Sequence, residues 1–250
     1  MAKRQVRAKR TAPGFPAAGS ERATLADDVA EKLRSDIVSA RFRPSERLRF
    51  EDLSQRYGVS VSPIREALSR LTAENLVEPD AQRGFRVASI SQADLIGILE
   101  SQKILEAIAL RRSIHAKDDS WEGELLAAQH RLMRMEASRK DQPSAQWTEE
   151  WEQRHRAFHQ ALVSGCDLTW LQRFCEVLRD QLDRYRNISG VPPWRFPSVS
   201  MQHGPIVQAA LAGDADRASS LLIEHYDAAA KIIVEALGHA KLSAEGELQT

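Results

Sequence analysis

The chain has 250 residues, 42% hydrophobic and 6% aromatic, with 35 basic and 35 acidic side chains and a formal net charge of zero. Two cysteines, Cys166 and Cys175, exclude a disulfide-rich scaffold and a cysteine zinc finger. No apolar run of about 18 residues and no apolar leader is present, which predicts a soluble cytoplasmic protein with no membrane partner. Charge is unevenly spread, with 17 basic and 12 acidic groups in residues 1–90 against 18 and 23 in residues 91–250, so the N-terminal part is the one suited to phosphate.

Residues 1–23 read as a disordered basic tail, because Lys3, Arg4, Arg7, Lys9 and Arg10 precede Pro13, Gly14, Pro16 and Gly19 with nothing to offset the entropy of ordering. Thr24 fits an N-cap, and Leu25, Val29, Leu33 and Ile37 step by four along one helix that Pro44 closes. A short helix is expected near 50–57 with Phe50, Leu53 and Tyr57 inward, followed by Gly58 in a left-handed position. Ser62 is expected to cap a third helix with Pro63 in its first position, and Ile64, Ala67, Leu68 and Leu71 form its buried stripe.

Beyond Leu76 and Val77 the period changes. Asp80, Gln82, Arg83 and Gly84 suit a turn, and Phe85 and Val87 alternate around Arg86, as in a short β-hairpin. Three helices and a hairpin make a winged helix-turn-helix over residues 24–89. From Ser91 to about Leu237 the pattern is almost all helical, with breaks near 118–120, 141–143, 165–167, 190–197 and 213–214. The fold class is therefore mainly α: the winged domain, an all-α helical bundle over 90–238, and a polar tail over 239–250.

A helix that reads DNA needs small polar residues at its N-terminus and cations facing phosphate. Ser60, Ser62 and Arg65 meet that need, with Arg65 able to bind phosphate or a guanine edge. Arg70 suits a backbone contact or plain solvation. Arg83 and Gly84 at the wing tip suit a groove or phosphate contact, whereas Arg47, Arg49 and Arg56 read as surface charge. In the second domain His155 and His159 are four apart on one helix face. His203 and His225 lie 10 and 11 residues on either side of the Gly213-Asp214 turn, so an antiparallel pair brings them level. Their neighbours Ile206, Val207, Leu221 and Leu222 point them inward. Two such paired sets of histidines suit a divalent metal site, such as zinc, nickel or manganese; the alternative is four independent structural histidines. His115, His130 and His239 read as surface.

Residues 37–87 resemble the DNA-binding domain of the GntR family of bacterial transcription regulators. The resemblance rests on Pro44-Ser45-Glu46-Arg47-Leu48, Leu53, the run from Gly58 through Ser62-Pro63-Ile64-Arg65-Glu66-Ala67-Leu68, Leu71, Leu76-Val77 and Arg83-Gly84-Phe85-Arg86-Val87. Val61 stands where many members carry arginine, and Ala40 and Ser45 where many carry glycine. Residues from about 91 to 237 resemble the all-helical effector domain of the FadR-type branch, through Phe158-His159-Gln160-Ala161-Leu162, His203-Gly204-Pro205-Ile206-Val207, Gly213-Asp214, Ala218 and His225. That resemblance implies a divalent cation held by one acidic residue and three histidines, with His155 here at the acidic position and Cys166 at an asparagine. The stretches His155-Arg156-Ala157-Phe158-His159, Ser164-Gly165-Cys166, Trp170-Leu171 and the run from Asp180 to Arg186 resemble the group containing a carbon-starvation-induced, glutarate-responsive repressor.

Four neutral imidazoles leave a cation's charge uncompensated, and an octahedral ion keeps open positions that a carboxylate can fill. A closed tetrahedral zinc site would instead be structural. The sequence thus predicts a homodimeric regulator of double-stranded operator DNA, a repressor of a catabolic operon released by a small dicarboxylate or aromatic acid. Lys103, Arg111, Arg184 and Tyr185 are candidate effector contacts, with outward charge or core packing as their alternative. An architectural DNA-binding protein is the second class. A metalloprotease is excluded, because Arg156 stands where the general-base glutamate after the first histidine belongs, and no catalytic residues are assigned.

Overall fold

A computed structural model describes residues 24–80, 84–116, 118–139, 141 and 143–247. The expected basic tail and Arg83 lie outside the described residues. The first unit contains α1 (Leu25–Val38), β1 (Arg47–Leu48), α2 (Phe50–Tyr57), α3 (Val61–Ala73), β2 (Val77–Asp80) and β3 (Gly84–Val87). The second contains α4 (Gln92–Ala116), α5 (Asp119–Ala137), α6 (Ala145–Val163), α7 (Thr169–Ile188), a 3-10 turn at Pro193–Arg195, α8 (Val199–Leu211) and α9 (Ala215–Glu247).

Helix α1 starts on a reciprocal cap. Thr24 accepts from the Asp27 amide, and the Asp27 carboxylate accepts from the Thr24 amide at 2.6 Å. Val29, Leu33 and Ile37 are buried with Ile64, Leu68 and Leu71 of α3 in one core. Leu25, expected on that stripe, is exposed at the first position of the helix. Helix α3 begins at Val61 with Ser60 as N-cap, so Ser62 and Pro63 sit inside the first turn rather than at the cap and first position. The wing hairpin pairs Val77 with Val87 and Asp80 with Gly84. A third strand was not expected: β1 pairs Arg47 with Arg86, giving a sheet in the order β1-β3-β2. Two residues are too short to show the period of a strand.

The second unit packs α4 against α7 and α9, α5 against α6, and α8 against α9. Its core includes Leu110, Leu125, Phe158, Leu162, Ile206 and Leu222. Helix α9 runs to Glu247, past the expected start of the tail at 239. Helix α7 also faces the first unit: Gln181 donates to the Glu74 carbonyl (2.8 Å), Asn187 to the Val38 carbonyl (2.8 Å) and Arg184 to the Ala88 carbonyl.

Helices α1 and α3 end alike. Ala40 donates to the Ile37 carbonyl and Arg41 to the Asp36 carbonyl; Asn75 and Leu76 repeat the pattern on Thr72 and Leu71. This is the left-handed C-terminal motif that favours glycine. Ala40 (φ 57°) and Ser45 (φ 64°) both hold left-handed backbone at the two positions where the family resemblance implies glycine. A side chain in that region costs about 1–2 kcal/mol, and glycine's greater unfolded freedom takes back part of it. Ala40→Gly and Ser45→Gly are expected each to stabilise the protein by about 0.5–1 kcal/mol, read as a raised urea midpoint at unchanged slope.

Candidate functional site

The N-terminus of α3 is open. Ser60, Val61, Ser62 and Arg65 are exposed, and the Arg65 guanidinium lies over the Phe50 ring at 4.6 Å. The stacking orients this cation without neutralising it, leaving its N–H groups for an anionic partner. Arg70 differs, because it pairs with Asp27 of α1 and with Glu66 at 2.6 Å. Both charges it meets are the protein's own, so the geometry does not direct it to phosphate. Gly84 opens β3 opposite Asp80.

In the second unit α6 supplies His155 and His159, α8 His203 and α9 His225. One ring nitrogen of each lies within 4.8 Å of the others, and all four are buried. The level placement of His203 and His225 holds, with ring centroids 4.6 Å apart. It follows from the turn between them, where Gly213 takes φ 74° and the Asp214 carboxylate caps α9 by accepting from the Arg217 amide at 2.9 Å. Trp151 stacks on His155 at 4.7 Å, one turn earlier on α6.

Burial is the largest cause that holds all four histidines below their usual value. The Arg186 guanidinium adds to this most for His155, and the neighbouring rings His225 and His203 most for His159. His225 falls to about 4. The rings are therefore neutral near pH 7, the form that ligates metal. Gln202 fixes one tautomer: its carbonyl oxygen accepts from His225 Nδ1 at 2.8 Å, leaving the Nε2 lone pair available. Both nitrogens of His203 and Nδ1 of His159 are buried without a hydrogen-bond partner among the described residues. Buried polar atoms left unpaired are costly, and four converging imidazoles are the donor set a divalent cation satisfies, so these residues fit a metal ion.

Beside the rings lies a cavity lined by His155, His159, Arg156, Arg179, Asp183 and Arg186, and closed on the other side by apolar residues that include Leu95 and Leu99. Arg179 pairs with buried Glu106, which also accepts from Tyr226, yet Arg179 Nε and Nη1 have no hydrogen-bond partner among the described residues. Arg186 donates to His155 Nδ1 at 2.9 Å, which places the ring proton on Nε2, so His155 would ligate an ion only by exchanging this contact; Arg186 also pairs with Glu152 and with Asp183 at 3.0 Å. The arrangement is a largely apolar cavity that shares a wall with the histidine cluster and is edged by three guanidinium groups, each paired with the protein's own carboxylates but with unpartnered N–H groups left on Arg179 and Arg186 among the described residues.

The four expected effector contacts lie elsewhere. Lys103 pairs with Glu100 (2.6 Å) and Asp227 (2.9 Å), and Arg111 pairs with Asp216. Arg184 is buried on the domain boundary, and the Tyr185 hydroxyl donates to Asp94 at 2.7 Å. The cations that do reach the cavity were missed, although Arg179, Asp183 and Arg186 repeat at helical spacing on the face of α7 that also carries Cys175 and Leu182. A charged stripe on an apolar face was the available signal.

The depressed histidines set a pH dependence. In metal-free protein the unfolded chain takes up these protons near 6.5, while the folded chain refuses them down to about 4 at His225. The unfolded state binds more protons in that window, so stability falls as pH drops through it. The slope is about 1.4 kcal/mol per pH unit for each such histidine. Urea unfolding of chelated protein from pH 7 to 4.5 should show this decline, and His225→Gln should make it shallower.

The comparisons agree with the geometry. Residues 25–87 match the family described as bacterial regulatory proteins, gntR family, and residues 97–228 match the FCD domain. The chain is 38% identical over 214 residues to the HTH-type transcriptional repressor GlaR of Escherichia coli, covering 82% of this chain and 94% of that protein. It is 37% identical over 210 residues to the HTH-type transcriptional regulator BphR of Paraburkholderia xenovorans, covering 84% and 85%. Among solved structures, E. coli McbR/YncC superimposes with a TM-score of 0.70 at 20% identity, covering 85% of this chain and 98% of that one. A GntR regulator from a Rhodococcus species gives 0.69 at 20% identity, covering 84% and 98%. These two likenesses concern the fold. The chain belongs to the GntR family of DNA-binding transcription regulators, with a winged helix-turn-helix followed by an all-helical FCD domain.

Proposed function

We propose that this protein is a cytoplasmic, non-enzymatic repressor that leaves its operator when a small carboxylate enters the cavity beside the histidines. The observation that carries this reading is that two of the four clustered neutral histidines, His155 and His159, line the same cavity as the buried, incompletely partnered N–H groups of Arg179 and Arg186. His155, His159, His203 and His225 would hold the ion, and imidazole donors favour nickel or zinc over manganese. A divalent cation there would supply a Lewis-acid anchor for one carboxylate oxygen. Arg179 and Arg186 would orient the anion through charge-assisted hydrogen bonds, and Leu95 and Leu99 would keep water from its carbon chain. The repressor name belongs to GlaR; here it is supported by the shared two-domain plan. No described helix is long and apolar enough to cross a membrane.

On DNA, Ser60, Ser62 and Arg65 are the contacts we assign to the recognition helix, with Arg83 and Gly84 at the wing. Val61, exposed at the start of α3, suits a thymine methyl where an arginine would seek guanine. Reading two half-sites needs two copies. Ile104 and Ile108 of α4 and Trp170 and Phe174 of α7 are exposed, and the Arg112–Asp167 pair at 2.6 Å draws these two stretches together. We assign this apolar face to the homodimer.

Arg65→Ala should weaken operator binding by about 1–3 kcal/mol while leaving the thermal midpoint unchanged, measured by fluorescence anisotropy. Ile104→Asp should convert the dimer to monomer in sedimentation. Metal-loaded and chelated protein, bound to the DNA upstream of its gene, would be titrated with glutarate, other dicarboxylates and aromatic acids. Release by one acid in the metal-loaded protein alone is the expected result. Equal release from chelated protein overturns the anchoring role of the metal, and binding that ignores every acid leaves the histidine cluster a structural one.

A further inference from the structure

An unbroken chain of ion pairs runs from the cavity to the end of the recognition helix. It starts at Arg186, which bonds His155 and pairs with Asp183 at 3.0 Å. Asp183 also pairs with Arg156 at 2.6 Å, and Arg156 reaches Asp180 with its other amino group at 2.5 Å. Asp180 meets Arg34 of α1 at 3.5 Å, and Arg34 holds both oxygens of Glu74, at 2.6 and 2.9 Å. Glu74 is the C-cap of α3. Arg186, Asp183 and Arg156 line the cavity; Asp180, Arg34 and Glu74 do not.

From this connectivity we infer that Arg156 is a shared cation, and that Asp180 and Arg34 are the positioning residues that convert its capture by an anion into displacement of the DNA-binding unit. The inference rests on the carboxylate reading proposed above. Arg156 holds two buried carboxylates in the present arrangement, Asp180 and Asp183. An anion in the cavity competes with them for it. Asp180, buried and already raised above the usual carboxylate range chiefly by desolvation, then has Arg34 as its remaining cation. Its Arg34 contact is the longest link in the chain, so it has room to shorten. Shortening draws Arg34 off Glu74 and changes how α1 and α3 sit on α7. Charges on a partly buried boundary that exchange partners do so between discrete arrangements, which is what a two-state coupling element requires. Nothing in the relay touches the DNA-facing side chains of α3.

The test measures the factor by which a releasing acid weakens operator affinity in full-length, metal-loaded protein. Asp180→Asn and Arg34→Gln are compared with wild type, with Arg34→Lys as the conservative variant. Both neutral variants should keep operator affinity without acid within about threefold, and keep acid affinity without DNA within the same range. Their coupling factor should fall at least tenfold, and Arg34→Lys should restore part of it. Because coupling is reciprocal, operator DNA should also cease to weaken acid binding in these variants. Thermal midpoints show that the variants are folded; if Asp180→Asn is not, Arg34→Gln decides. Wild-type coupling in a folded Arg34→Gln or Asp180→Asn protein overturns the relay alone. Wild-type protein that no acid releases overturns the effector reading and the relay together.

Discussion

Helix α7 buries three guanidinium groups, and much of the second unit is arranged to make that tolerable. A buried cation without a partner costs several kcal/mol or more. Glu106 of α4 answers Arg179, Glu152 of α6 and Asp183 answer Arg186, and a backbone carbonyl of the first unit answers Arg184. Each answer comes from a different element, so α4, α6 and the DNA-binding unit are held to α7 by charge as well as by apolar contact. The matching is incomplete, since an Nε of each of the three arginines lacks a hydrogen-bond partner.

The histidine cluster sits in the field of those cations. Arg186 contributes to holding down all four rings, so it opposes any further positive charge there. A dication added to four neutral ligands brings positive charge that nothing there is free to offset, because Arg179 and Arg186 and the acids Glu106, Glu152 and Asp183 are already paired with one another. A carboxylate bound beside the ion, as proposed above, would balance part of that charge.

Much of this was legible in the sequence. Apolar stripes on α1, α2 and α3 named most of the first core, and Gly58 and Gly213 marked turns that the backbone takes with positive φ. His155 and His159 were readable from their spacing of four, and His203 and His225 because a turn of known position converts sequence distance into height. The buried arginines of α7 were not readable, because charge on a helix ordinarily faces water and only tertiary contacts reveal that α7 turns it inward. The partners of Lys103 and Arg111, Asp227 and Asp216, lie more than 100 residues away, where no local pattern announces them. Leu25 followed the right period at a position with no neighbour to cover it. Strand β1 and the start of α3 were set by pairing and by the Gly58 turn, not by local preference.

The three carbonyls that α7 contacts have a further meaning. Val38 and Glu74 lie at the C-terminal ends of α1 and α3, where a helix leaves carbonyl groups without internal donors. Asn187 and Gln181 supply those donors, so two helices of the DNA-binding unit are capped by side chains from about 110 to 150 residues further along the chain. The winged domain has its own core, yet expressed alone it would leave these two carbonyls to water, so its fraying would begin at the C-terminal ends of α1 and α3.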